Sequence, residues 1–192
     1  MTRKRITVLS FLSILLVFLV VIFITKTGPR RITKRADSLS RQISEKGEEK
    51  RENKKVTLFF LSERDSNLHP EQREIFTDEE VEVEAKQVIK ELIKGSEKEY
   101  LTPLPPETQL REVFVTRDGT AYVDFTRSIQ EGNILGSSAE ISTVYAIVNS
   151  LTYNFKQIRR VYIMVEGMEK ETLGGHINIS RPLLPKYDLI SR

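Results

Sequence analysis

An uninterrupted apolar run near the N-terminus places the strongest constraint on this chain of 192 residues. Residues 6–25 contain no charged side chain. At about 1.5 Å per residue, a helix of that length reaches roughly 30 Å, the thickness of the hydrocarbon core of a bilayer. The run is apolar on every side, unlike an amphipathic helix that lies on a membrane surface. We therefore predict that residues 1–25 form a single transmembrane helix that anchors the chain.

A cleaved signal peptide is the competing interpretation of this segment. The basic start, Arg3 to Arg5, fits both interpretations. The apolar run is longer than the usual core of a signal peptide, about 7–15 residues. The stretch from Lys26 to Arg30 is bulky and basic, so it offers no small-residue cleavage site. These two features favour an uncleaved signal anchor.

Charge is distributed unevenly along the rest of the chain. Residues 26–55 hold eleven Lys and Arg against five Asp and Glu, with few large apolar side chains, which predicts a flexible tether. Its basic residues could contact anionic lipid headgroups or an anionic wall polymer, or simply remain solvated. Residues 56–192 hold sixteen Lys and Arg against twenty-two Asp and Glu. An acidic domain argues against a nucleic-acid partner, which requires basic residues to neutralise phosphates.

The sequence contains no cysteine. This excludes disulfides, a thiolate nucleophile, zinc–thiolate sites and the lipid-modified cysteine of a bacterial lipoprotein. Basic residues flank the apolar run on both sides, so the flanking charges alone do not fix the orientation of the anchor.

Hydrophobic periodicity predicts two helices and four principal strands after the tether. Thr77 and Glu80 fit a capping box before an amphipathic helix that Gly95 ends, and Ser137 and Glu140 fit a second one. The remaining predictions are strands at 56–62, 109–116, 120–125 and 160–166, a helix at about 137–153, a loop at 67–70, a hairpin turn at Asp118-Gly119, and a short edge strand at 176–180. The predicted fold class is α+β, in the order β-α-β-β-α-β, with two helices packed on one face of a small, mostly antiparallel sheet. The predicted domain covers residues 56–185, and residues 186–192 form a C-terminal tail.

Several short motifs follow one another in a fixed order along this domain. They are Val56 to Phe60, Leu92 to Gly95, Leu104 to Thr108, Gly119 to Phe125, Ile147 to Thr152, Val161 to Gly167, and Thr172 to Ile177. Together they resemble the GerMN domain family, which is named after a sporulation and spore-germination lipoprotein. The chain has one copy where the sporulation protein has two, and a predicted transmembrane helix in place of the lipid anchor.

The resemblance implies an exported, membrane-tethered α+β domain without assigned catalytic residues. Its relatives act in the assembly or stabilisation of envelope complexes. It therefore implies a soluble domain outside the cytoplasmic membrane, with an envelope protein or the cell-wall polymer as partner and a role related to sporulation or germination.

No catalytic, cofactor-binding or metal-binding residue is predicted. His69 and His176 have no metal-ligand spacing, and His176 follows a glycine pair, which is typical of a turn or an edge strand. Asp124 interrupts an apolar strand, so we expect it to bond backbone amides of the next loop or to pair with Arg127. The alternative function is a cell-wall hydrolase, or a regulator of one, with His176, Asp124 and Glu166 in a shared cleft.

Overall fold

The computed structural model describes residues 52–131 and 136–191. The strands are β1 (Asn53–Leu61), β2 (Leu68–Phe76), β3 (Leu110–Val115), β4 (Thr120–Phe125), β5 (Arg160–Val165) and β6 (Met168–Glu169). The helices are α1 (Val81–Lys94), α2 (Ser128–Glu131) and α3 (Ser137–Asn154), followed by a 3-10 turn at Tyr187–Leu189. Within these ranges, no helix has the length and apolar character needed to cross a membrane. The predicted anchor, residues 1–25, lies outside the described residues.

The strands form two sheets. β1 and β2 make a long antiparallel hairpin, and the other four strands form a sheet in the order β3-β4-β5-β6. Within the second sheet, β3 and β4 are antiparallel, β4 and β5 are parallel, and β5 and β6 are antiparallel. The parallel pair follows from the connection, because α2 and α3 return the chain to the starting end of β4.

Apolar side chains from both sheets and both long helices join in one core. α1 contacts β1, β2 and β3, while α3 contacts β1 and β5 as well as α1. The predicted face of α1 is confirmed, since Ala85, Val88, Ile89 and Leu92 are fully buried. α3 is buried on more sides than predicted, and its buried set includes Asn149 and Ser150.

The predicted strand arrangement is wrong in two respects. Residues 68–76, predicted to begin in a loop, form the strand β2, so the observed order is β-β-α-β-β-α-α-β-β. The strands make two sheets rather than one. Among the strand pairs of the described residues, β4-β5 is parallel and the other three are antiparallel, so the mostly antiparallel pairing is confirmed. The mixed α+β class and the small sheet are confirmed. The hairpin at Asp118-Gly119 is also confirmed, and β4 has the predicted bounds.

Both predicted capping boxes are wrong. α1 begins at Val81, so that Glu80 and not Thr77 occupies its N-cap position, and no side chain caps this end. α3 begins at Ser137 after Gly136, also without a side-chain cap. Neither Thr77 nor Ser137 occupies the N-cap position. Tertiary packing, rather than the local capping motif, determines where each helix starts.

The ends of the domain also differ from the predicted boundaries. β1 begins at Asn53, within the predicted tether. The predicted edge strand at 176–180 is irregular, whereas Met168–Glu169, earlier in the chain, forms the short strand β6. The segment predicted as a tail is packed on the domain, since Ile190 pairs with Leu68 in a β-bridge.

Three side-chain amides each bind the backbone N–H and C=O of one distant residue. Asn154 binds Thr57 in this way, with an N–H···O distance of 2.8 Å and an amide-to-carbonyl distance of 2.7 Å. The other two pairs are Asn149 with Lys186 and Gln87 with Phe76. On β1, the amide of Asn154 takes the place of the partner strand that this edge lacks. Along β1, Ser150 adds a bond to the amide of Phe59, at 3.2 Å.

Candidate interaction surface

The second sheet has one face toward the helices and one face that carries aromatic side chains away from them. Val113, Val123 and Ile163 share one register row and are buried in the core. The next row consists of Phe114, Tyr122 and Tyr162, whose side chains point to the opposite face because successive residues alternate along a strand. We call this face, with its row Phe114, Tyr122 and Tyr162, the outer face.

Exposure differs strongly along this row. Phe114, on the edge strand β3, is 61% exposed, Tyr122 is half-buried and Tyr162 is buried. The rings of Tyr122 and Tyr162 meet edge to face, with 5.4 Å between centroids. Burial, together with the nearby Glu169 carboxylate, raises the pKa of the Tyr162 hydroxyl to about 12. Tyr162 is therefore neutral at physiological pH, and the row presents uncharged aromatic surface.

An ion cluster lies next to the aromatic row on the same face. Arg111 pairs through Nη1 with Oδ2 of Asp124 at 3.1 Å and approaches Oε2 of Glu166 at 3.7 Å. The amide of Gly167 donates to Oδ1 of Asp124 at 2.8 Å, and the amide of Arg127 donates to Oε1 of Glu166 at 2.9 Å. Both carboxylates therefore hold the turn between β5 and β6, where Glu166 and Gly167 have φ values of 56° and 71°.

Asp124 thus has the structural role expected of it, with different partners. Its backbone donor is Gly167 rather than an amide of the following loop, and its cation is Arg111 rather than Arg127. The β-bulge near Arg111 gives the reason, because the register shifts between Leu110 and Glu112. An irregularity of this kind re-aims a side chain.

Glu140 is a fully buried carboxylate that binds the loop after β6. Oε1 accepts the amides of Leu173 and Gly174, each at 2.9 Å, and Oε2 accepts the amide of His176 at 2.7 Å. Burial raises the pKa of Glu140, but the amide donors of this loop outweigh burial and bring it below its usual value of 4.5. The residue expected to be a helix cap therefore closes a loop more than thirty residues downstream.

His176 has different bonding partners from Asp124 and Glu166, the other two residues of the hydrolase hypothesis. Asp124 and Glu166 meet at Arg111, whereas the backbone of His176 is bound by Glu140. The His176 side chain is exposed, and no hydrogen bond or ion pair connects it to either of the other residues within the part of the chain that the structure describes. The structure therefore offers no His–carboxylate pair at this position.

His69 has a different environment. Its Nε2 lies 2.9 Å from Oδ2 of Asp65, and its ring stacks on Tyr100 with 5.1 Å between centroids. The hydrogen bond from His69 lowers the pKa of the Asp65 carboxyl well below its usual range. Across residues 52–131 and 136–191, no three His, Asp or Glu side chains are grouped as metal ligands would be.

A family model described as sporulation and spore germination, Germane, matches residues 57–171. The chain belongs to the Germane family. The match covers both sheets and both long helices of the domain. No curated protein matches this Germane chain.

Three solved structures are similar to the Germane domain in fold. A predicted lipoprotein from Clostridium perfringens is 24% identical, over 69% of this chain and 87% of that one, with a TM-score of 0.51. The first GerMN domain of the sporulation protein GerM from Bacillus subtilis is 24% identical, over 68% and 97%, with a TM-score of 0.53. The tandem GerMN domains of the same protein are 21% identical, with a TM-score of 0.56, over 69% of this chain and 46% of that one.

The exposed aromatic residues of the outer face were not predicted from the sequence. Phe114 and Tyr122 alternate with the core residues Val113 and Val123 on two strands that were correctly predicted. A hairpin of fixed register places such positions opposite each other. The alternation was therefore a signal from which an aromatic row could have been inferred.

Proposed function

We propose that this Germane domain is a non-catalytic binding module of the bacterial cell envelope. In this proposal, residues 1–25 anchor it in the cytoplasmic membrane and the domain lies outside the cytoplasm. It acts in the assembly of an envelope complex during sporulation or germination, with an envelope protein or the wall polymer as its partner.

The outer face is the observation that carries this proposal. Phe114 is 61% exposed on an edge strand, beside a half-buried Tyr122. Aromatic side chains are enriched at protein–protein interfaces, where they contribute large contact areas. By contrast, the two carboxylates of the hydrolase hypothesis are engaged, since Asp124 and Glu166 each accept a backbone amide and approach Arg111.

The family and the similar structures support the envelope and sporulation parts of the proposal. The family description is sporulation and spore germination, and GerM is named as a sporulation protein. One similar structure is a predicted lipoprotein, a class of protein held at a membrane by lipid. The apolar residues 6–25 would supply the same attachment in this chain, which has no cysteine for lipid modification.

The binding role is tested by capture from crosslinked membranes that contain the full chain. Phe114→Ser should remove the crosslinked partner, because it deletes the most exposed ring of the row. The matched control is Phe76→Ser, which changes a 51% exposed phenylalanine at the end of β2. Both substitutions are at the surface, so each should change the free energy of unfolding by less than about 0.5 kcal/mol. Equal capture by both variants would contradict the proposed surface.

Placement and catalysis need separate tests. A reporter fused after Arg192 should be active outside the cytoplasm, and activity confined to the cytoplasm would contradict the proposed orientation. Purified chain should not digest cell wall. Digestion that His176→Ala abolishes would replace the binding module with the hydrolase hypothesis.

A further inference from the structure

Two turns that contact each other concentrate positive charge on this acidic domain. We call residues 116–120, from the end of β3 to the first residue of β4, and residues 156–160, from the end of α3 to the first residue of β5, the basic turn pair. Their charged side chains are Arg117, Asp118, Lys156, Arg159 and Arg160. The carbonyl of Gly119 joins the turns by accepting the amides of Arg159 at 2.8 Å and Arg160 at 3.3 Å.

Most of these cations have no acidic partner. Arg160 is engaged, since it pairs with Asp118 and donates through Nε to Thr120 at 2.7 Å. Arg117, Lys156 and Arg159 are exposed and make no ion pair with any residue in the described ranges. The turn pair therefore carries four cations against one acid, whereas residues 56–192 as a whole carry sixteen against twenty-two.

The basic turn pair lies at the end of the domain where the chain enters β1. α3 runs antiparallel to β1, and its last residue, Asn154, binds Thr57. The ammonium of Lys54 lies 4.9 Å from the ring centroid of Phe155. Lys156 directly follows Phe155, so the second turn starts beside the first residues of β1. The sequence before β1 is the basic tether and, before it, the apolar residues 6–25.

We propose that the basic turn pair docks on anionic phospholipid headgroups of the membrane in which the chain is anchored. The docking rests on the proposed anchor, which keeps this end of the domain within reach of the bilayer. Cations near an anionic leaflet are attracted within about one Debye length, roughly 10 Å at 0.1 M salt. Each basic residue at the surface shifts the ratio of docked to free domain about fivefold.

Acidic residues near the same end decide which side of the domain faces the lipid. The amide of Thr77 donates to the carbonyl of Glu52 at 2.8 Å, so the acidic run that follows β2 also lies beside the start of β1. Asp78, Glu79 and Glu80 in that run are exposed. Anionic headgroups repel this run and attract the turn pair. The domain is therefore expected to tilt, with the turn pair toward the bilayer and residues 78–80 away from it.

The absence of cysteine allows a direct test with single-cysteine labels on the full chain. The chain is reconstituted in nanodiscs of phosphatidylcholine, with or without phosphatidylglycerol, that contain an acceptor-labelled lipid. A donor on Gln157→Cys, an exposed position within the turn pair, should transfer energy more efficiently when phosphatidylglycerol is present. A donor on Glu79→Cys should show a smaller gain. High salt should remove the difference, because it screens the attraction.

Charge reversal identifies the residues responsible. Combining Arg117→Glu with Arg159→Glu should abolish the gain at position 157, since it removes two attractions and adds two repulsions. The control Lys98→Glu changes an exposed cation beyond the far end of β1 and should leave the gain intact. Equal transfer in both lipids, an unaffected double variant, or an equal gain at position 79 would each overturn the docking.

The anchor and the docking fail in different ways. A chain that washes off the discs would overturn the proposed anchor and the docking together. A chain that stays in the discs, without transfer that depends on phosphatidylglycerol, would overturn the docking alone.

Discussion

Replacing Glu140 by glutamine tests the buried carboxylate that joins α3 to the loop after β6. The carboxylate accepts three backbone amides, from Leu173, Gly174 and His176, at 2.7 to 2.9 Å. Glutamine is of the same size, but it has one acceptor oxygen and one NH2 group. Its oxygen can retain the amides of Leu173 and Gly174, while its NH2 group would face the amide of His176, donor against donor.

The cost can be estimated from the bonds that change. Hydrogen bonds to a charged group contribute about 1.5–3 kcal/mol and neutral ones about 1 kcal/mol, and an unsatisfied buried donor costs about 1–3 kcal/mol. Leaving the His176 amide unsatisfied costs about 1–3 kcal/mol, and weakening two charged bonds to neutral ones costs about 0.5–2 kcal/mol each, which together give about 4 kcal/mol. Domains of this size have about 5–15 kcal/mol of stability, so the variant should still fold, with a much lower urea midpoint.

The measurement is urea unfolding of the full chain in detergent, followed by far-ultraviolet circular dichroism. Glu79→Gln, at an exposed position, is the control and should change the free energy of unfolding by less than about 0.5 kcal/mol. A loss of less than about 1 kcal/mol in the Glu140 variant would refute the assigned role of the carboxylate.

The pH dependence supplies a second criterion for Glu140. The pKa of the folded state lies below the usual 4.5, so the stabilisation is present above that pH and is lost as the pH falls through the folded-state pKa. The free-energy difference between the native chain and Glu140→Gln should therefore be constant near neutral pH and shrink below about pH 4.5. A difference that persists unchanged in acid would contradict the account.

Two further substitutions test other buried polar groups by the same unfolding assay. Asn154→Ala leaves the N–H and C=O of Thr57 without their partner and should cost about 2 kcal/mol, whereas Gln157→Ala, at an exposed position, should be neutral. A neutral Asn154→Ala would show that water replaces the amide. Arg73→Met removes the cation that pairs at 2.5 Å with buried Glu71 and should cost about 3–5 kcal/mol. Adding Glu71→Gln should then restore part of the loss, and an additive loss would argue against a direct pair.

The elements predicted correctly are those whose signals lie within a few neighbouring residues of the sequence. The strands β4 and β5 are short runs rich in β-branched and aromatic residues, and Asp118-Gly119 has the turn chemistry of a hairpin. The strand β2 gave no such signal, because Glu71 and Arg73 occupy two of its buried positions. A strand that buries an ion pair has the polar composition of a loop, so the sequence alone does not identify it as a strand.

The same limit explains the error at Glu140. A glutamate three residues after Ser137 fits a capping box, which is a local motif. Its actual partners, near Gly174, are set by a loop that reaches α3 only through the tertiary fold. The aromatic pair Phe114 and Tyr122 was accessible from the sequence, because hairpin register is local, whereas Tyr162 joins that row through a parallel, long-range pairing.

The most direct test of the binding role is site-specific photocrosslinking of the anchored full chain in native membranes. A photoreactive residue at Phe114 should give an adduct of defined mass with an envelope component, and the same residue at Phe76 should give none. Adducts of the same mass at both positions, or none at Phe114 under conditions in which the chain is membrane-bound, would contradict the assignment of the outer face as the binding surface.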